Sequence, residues 1–387
     1  MVPATGRVDC YRLYFAGVCA LILTAGLARF AYTPILPLMH AEAGLSDFAG
    51  GSLAAINYLG YLAGVLVVMS IRDLKRKFLM YRAGLVMAVV TTAAMGMTKN
   101  VFVWAMLRFV SGFSSTAGML LASALILDGL IRRGHRAELG VHFTGIGLGV
   151  VISGLAVVAM TGQLPWTQQW MVLGLLGVAF LLPAWWWLPA PADGPSISPA
   201  PTALPARRWM GLLIAAYFCA GFGYVVSATF IVAILEKLPL LAGKGGWVWV
   251  IVGIAAVPSC FLWDRIASAR GQIPTLLLAY GVQTISIILP AFTTDTVLNL
   301  LSASLYGGTF VGIVSLTLTL IGRRFPENSA KAMASMTLSY GAAQIVAPVM
   351  VGYIAAATGS YRGALCVTAG IMSVGMLLLA ALVVRRK

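Results

Sequence analysis

Pro189–Arg208 reads PAPADGPSISPAPTALPARR. Six of these residues are proline, so the segment cannot build a helix and forms an extended tether. On both sides of it the chain is apolar. Of the 387 residues 60% are hydrophobic and 10% are charged. A soluble domain carries about 25% charge, so this composition describes an integral membrane protein. The apolar runs approach the length at which a helix crosses a bilayer, about 20 residues; a membrane barrel would show alternating segments of about ten.

Six apolar runs precede the tether, at 14–39, 47–70, 79–98, 101–127, 139–160 and 167–188. Six follow it, at 210–235, 247–263, 273–292, 297–321, 332–357 and 362–384, the eighth run overall being the shortest. Arg7 and Arg12 precede the first run, which continues without an A-x-A cleavage site and reads as a retained helix. The prediction is an all-α membrane protein of twelve transmembrane helices in two six-helix, pseudo-symmetric lobes. The lobes span 1–188 and 209–387, with 189–208 as a cytoplasmic linker.

With both termini inside, twenty of the 26 Lys and Arg residues fall on the cytoplasmic side and four, Lys99, Lys237, Lys244 and Arg362, on the other. That asymmetry supports an even helix count, and a multi-pass inner-membrane protein with both ends cytoplasmic. The net charge of +15 is dispersed over short loops, which argues against nucleic acid as a partner. Cys10, Cys19, Cys219, Cys260 and Cys366 show no paired spacing, so neither a disulfide framework nor a metal site is predicted. His40, His135 and His142 are scattered, which argues against a polytopic membrane enzyme, and no cofactor is expected.

The remaining two cations, Arg29 and Arg108, lie inside apolar runs. Arg29 stands in Gly26–Met39, GLARFAYTPILPLM, where helical spacing gives it one face with Gly26, Tyr32 and Thr33, and Pro34 and Pro37 follow. A cation at that depth costs at least about 2.5 kcal/mol on insertion scales and calls for a polar cavity or a partner. All eleven Asp and Glu residues fall at or beyond helix ends. Two cations in an interior without an acid suit an anionic ligand such as a carboxylate, which a guanidinium grips through two parallel hydrogen bonds.

The halves are weakly repeated. Each has a basic loop after its second run, Ile71–Lys77 and Trp263–Arg270, and each opens on a polar, glycine-containing helix, with Gly221-Phe-Gly-Tyr224 in the second half. The whole chain resembles a major facilitator superfamily transporter. ARFAYTPILPLM in the first helix, GFGYVVSATF in the seventh, and Gln344 with Pro348 in the eleventh resemble the YbfB/YjiJ branch. The superfamily signature between helices two and three is roughly G-x-x-x-D-R-x-G-R-R. Here Asp73 takes the aspartate position and Arg76 and Lys77 the basic positions, but Met69 stands for the leading glycine and the inner glycine is missing. In the second half Asp264 and Arg265 match the D-R pair, with Cys260 replacing the glycine. Arg108-Phe-Val-Ser-Gly112 resembles the R-x-x-x-G motif of the fourth helix, whose arginine in the family serves proton coupling or helix–helix bonding. The fifth helix has Gly145, Gly147, Gly149 and Gly154 but lacks the Gly-Pro pair of the antiporter motif. Close packing at the interface of the two lobes is the reading of those glycines.

What the resemblance implies is a secondary transporter working by alternating access around a site between its lobes, moving a small organic solute, anionic or amphipathic. The substrate-binding candidates are Arg29, Tyr32, Asn57, Tyr61, Arg108, Tyr224, Tyr306 and Gln344. The coupling and gating candidates are Asp73, Arg76, Asp264 and Arg265, as cytoplasmic latches, and His142, as a titratable group should protons drive transport. Small-molecule substrate, membrane lipids and protons are the expected partners, and a monomer is the expected state. The alternatives are a multidrug or metabolite efflux pump of the same fold, a membrane enzyme, and a transporter-like sensor without flux.

Overall fold

The structure, a computed structural model, describes residues 4–71, 73–132, 139–190, 207–324 and 329–384. All but the ends of the proline-rich tether lie outside the described residues. Among the described residues twelve helices are long and apolar enough to cross a membrane, and there are no strands. The chain divides into two compact units, one of Met1–Leu45 with Ile56–Ser196, the other of Ser46–Ala55 with Ile197–Lys387.

The first unit contains α1 (Tyr11–Ala43), most of α2 (Asp47–Ser70), α3 (Leu74–Met97), α4 (Val101–Leu130), α5 (Gly140–Met160) and α6 (Trp166–Trp187). Its helix starts follow from short polar side chains. Asp73 caps α3 by accepting from the Lys75 amide at 3.0 Å, and Asn100 caps α4 by accepting from Phe102 and Val103. The core gathers Leu13 and Leu23 of α1, Tyr81 and Leu85 of α3, Leu121 and Ile126 of α4 and Ala184 of α6. The Tyr81 hydroxyl donates to the Ala184 carbonyl at 2.7 Å, so the one polar atom of that ring is satisfied inside the core.

The second unit contains α7 (Arg208–Leu235), α8 (Gly245–Arg270), α9 (Gln272–Phe292), α10 (Thr296–Gly322), α11 (Ser335–Thr358) and α12 (Arg362–Leu382). The sequence reading ended the eighth helix at Trp263 and put a basic loop over Trp263–Arg270. That loop is helical. The chain kinks at Val257 and Pro258, then runs as helix over Ser259–Arg270 until Gly271, at φ 85°, stops it. Proline bends the helix without ending it. Ser259 Oγ and Trp263 Nε1 both donate to the Gly308 carbonyl, at 3.0 and 2.6 Å.

Candidate functional site

Where α1 and α5 cross, Gly26 faces Gly149 with no room for a methyl group on either. For Gly145 and Gly149 the reading that placed the α5 glycines at a lobe interface is corrected here. Gly145 and Gly149 meet Val18, Leu21, Ile22 and Gly26 of α1, inside the same unit. Without Cβ atoms the two backbones approach closely. At this crossing α1 widens from ordinary α-helix to π-helix over Ile22–Phe30, and the Ala31 amide donates five residues back, to the Gly26 carbonyl at 3.0 Å.

A π turn breaks the regular ladder and turns carbonyls toward outside donors. The fourth helix supplies those donors from one face. Ser115 Oγ donates to the Thr24 carbonyl at 3.0 Å and Ser111 Oγ to the Ala28 carbonyl at 2.7 Å. Arg108 adds Nη1 to the Ala28 carbonyl at 3.2 Å and Nη2 to the Arg29 carbonyl at 3.5 Å. The second helix completes the junction. Asn57 Nδ2 donates to the Arg108 carbonyl at 2.9 Å, and Gly112 lies against the Asn57 carbonyl where any side chain would collide.

Arg29 leaves this braced turn 6% exposed, its guanidinium carbon 4.2 Å from the Tyr58 ring centre and 4.7 Å from that of Tyr61. Arg108 is 2% exposed and stands 4.4 Å over the ring of Tyr32. Ring faces stabilise a guanidinium by about 0.5–2 kcal/mol each. Among the described residues these two arginines are the buried residues of fixed charge, and no Asp or Glu is buried.

The first unit therefore brings together Arg29, Tyr32, Asn57, Tyr61 and Arg108. In the second unit Tyr224 and Tyr306 meet, the Tyr306 hydroxyl donating to the Tyr224 carbonyl at 3.1 Å. Their rings belong to a stack with Phe310 and Tyr340. Gln344 follows one turn after Tyr340, is 4% exposed, and its Oε1 has no hydrogen-bond partner among the described residues.

The coupling and gating candidates lie elsewhere. Asp73 and Arg76 are exposed and 3.8 Å apart at the start of α3. Asp264 and Arg265 are exposed on the helical continuation of α8. His142 is fully buried, with Nε2 3.2 Å from the Gly118 carbonyl in a second π segment, Ala117–Ala122 of α4. Among the described residues no group of three or more His, Cys, Asp or Glu stands close enough to hold a metal.

Sequence reasoning missed Ser111 and took Ser115, with Gly112 and Ala122 on the Arg108 face, only as part of a small-residue packing stripe and not as a donor. It also missed Phe310 and Tyr340, which only their stacking with Tyr224 picks out. The signal for the serines was their spacing from Arg108, three and seven residues on, which puts all three on one helix face.

Residues 21–382 match the family model described as the uncharacterised MFS-type transporter YbfB. The chain is 24% identical to the probable sulfoacetate transporter SauU of Cupriavidus necator, over 96% of this chain and 93% of that protein. It is 26% identical to a gallate transporter of Pseudomonas putida, over 50% of this chain and 42% of that one. Two crystal structures of the nucleoside transporter NupG share its fold at 14% identity. One, of a point mutant, covers 96% of this chain and 99% of its own at a TM-score of 0.79; the other covers 97% and 98% at 0.71.

Proposed function

Because the chain belongs to the major facilitator family of the transporter YbfB, and so is a multi-pass membrane transporter of a small molecule and not an enzyme, we propose that it carries a small organic anion. It does so across the inner membrane by alternating access of two six-helix lobes, 1–188 and 209–387, joined by a cytoplasmic linker at 189–208. Both termini are cytoplasmic, as the distribution of basic residues favours.

The observation that carries the anion is the setting of Arg29. Its guanidinium stands over the rings of Tyr58 and Tyr61 in a unit whose described interior holds two arginines and no buried carboxylate. A cation in an apolar interior attracts a carboxylate or sulfonate far more strongly than the same group in water. The names of two relatives, transporters of sulfoacetate and of gallate, point to the same substrate class. Tyr61 and Asn57 line the site with Arg29. Tyr224, Tyr306 and Gln344 are the candidate substrate contacts within the second lobe. Arg108 with Tyr32 supports the arginine that binds. Where transport is driven by protons, His142 is the group that titrates, while Asp73–Arg76 and Asp264–Arg265 bias the cytoplasmic ends.

The test is uptake of small carboxylates and sulfonates into proteoliposomes by the wild type and by Arg29→Ala and Arg29→Lys. Loss of uptake in Arg29→Ala with partial retention in Arg29→Lys supports the reading. Unchanged uptake by well-folded Arg29→Ala overturns it.

A further inference from the structure

Away from the arginine cluster, a groove of about 400 Å³ opens on the first unit between the start of α1 and the ends of α5 and α6 that lie beside it. Its walls are Tyr11, Tyr14, Phe15 and Val18 of α1, Val141 of α5 and Trp187 of α6, and among the described residues Arg12 is its one charged side chain and no acid lines it. The Phe15 and Trp187 rings meet at 5.4 Å and close one side. Tyr11, Phe15 and Trp187 are 74, 50 and 45% exposed, so these rings face outward and not into the bundle.

The groove's surface is almost wholly apolar, with the exposed cation Arg12 beside it. Tyr11 and Arg12 stand at its mouth, near the start of the membrane-spanning helix, and Phe15 follows about one turn deeper. Tyr and Trp concentrate at this depth because one part of each ring is apolar and the other seeks water. A cation above a ring-lined trough has the polarity of a single phospholipid, phosphate at one end and acyl chain at the other. A neutral lipid or a detergent tail would gain nothing from the guanidinium.

We propose that this groove is a binding site for an anionic phospholipid, its phosphate on Arg12 and its acyl chain along Phe15, Val141 and Trp187. A bound lipid would tie α1 to α5 and α6. Its chemistry is shared by a free phosphate, but only the lipid uses the rings. The site depends on membrane embedding and not on what the transporter carries.

The experiment measures the melting temperature of the purified protein in neutral detergent. Phosphatidylglycerol, phosphatidylcholine or inorganic phosphate is added at matched concentration. Phosphatidylglycerol should raise the melting temperature by several degrees, and the other two should not. Arg12→Gln should abolish the rise, while Arg270→Gln, which removes an exposed cation from the second unit, should keep it. An equal rise with phosphatidylcholine or with phosphate, no rise at all, or a rise undiminished in Arg12→Gln overturns the site. Should Arg12→Gln be too unstable to melt cleanly, native mass spectrometry of Arg12→Lys and Phe15→Ser decides. Arg12→Lys should retain the lipid and Phe15→Ser should lose it; the reverse, or equal retention, counts against the proposal.

Discussion

The Arg108 guanidinium donates from Nη1 to the Ala28 carbonyl at 3.2 Å, one residue before Arg29 in the chain. One buried arginine thus braces the backbone that carries the other. The Ala28 oxygen also accepts from Ser111 Oγ at 2.7 Å, so it has two donors from the same helix.

Removing these donors should cost stability in proportion to what is left unsatisfied. Ser111→Ala leaves Arg108 on the Ala28 carbonyl and should destabilise by about 1 kcal/mol. Arg108→Ala strips the second donor and opens a void under Tyr32, and should cost about 3 kcal/mol or more. Thermal melts in detergent would check the order. Equal effects of the two substitutions would mean that Arg108 does not support the turn.

Tyr58 offers Arg29 its ring face at 4.2 Å. Tyr58→Phe keeps that face and should leave substrate affinity within about twofold, whereas Tyr58→Leu removes about 0.5–2 kcal/mol of cation–ring attraction. The Leu variant should bind its anion up to about thirtyfold more weakly. A titration of substrate-dependent thermal shift would separate the two, and equal losses would point to the hydroxyl instead of the ring.

The backbone contact of Gly26 with Gly149 has no slack. Gly26→Ala should push α1 from α5 and cost about 1–3 kcal/mol as overpacking. The control is Gly211→Ala, where an added methyl meets nothing. Monodisperse yield on size exclusion should fall for the first and hold for the second.

Glu236, in the turn after α7, accepts from the Gly245 amide at 2.7 Å. Burial pushes its carboxyl above the ordinary carboxylate range, and that hydrogen bond opposes the shift only in part. A raised value means the folded chain holds this proton more tightly than the unfolded one. The contribution to stability is therefore largest in acid and falls as pH rises from the ordinary range through the raised value. Glu236→Gln keeps an oxygen for the Gly245 amide and cannot lose a proton. The variant should match wild type in acid and melt higher at neutral pH. A difference between the two melting curves that does not change with pH would contradict this.

Much of this was legible in the residues because a bilayer dictates length. Twelve apolar runs read as twelve helices, since hydrocarbon admits only segments that satisfy their own backbone over about 30 Å. Arg29 and Arg108 were legible for the same reason, as cations in runs where charge is costly. The eighth helix was ended too early, at Trp263, because Asp264, Arg265 and Arg270 look like a basic loop, whereas the helix runs on to Arg270.

Sequence alone determined the number of spans, the division at the prolines and the presence of two buried cations, all properties of composition along one dimension. Only the tertiary structure decided that Ile22–Phe30 is a widened turn, that Arg108, Ser111 and Ser115 hold it, and that Arg29 stands over the ring of Tyr58. A π turn is not a preference of its own residues. It persists because the carbonyls it releases accept hydrogen bonds from donors on another helix, 79 to 91 residues away in the chain.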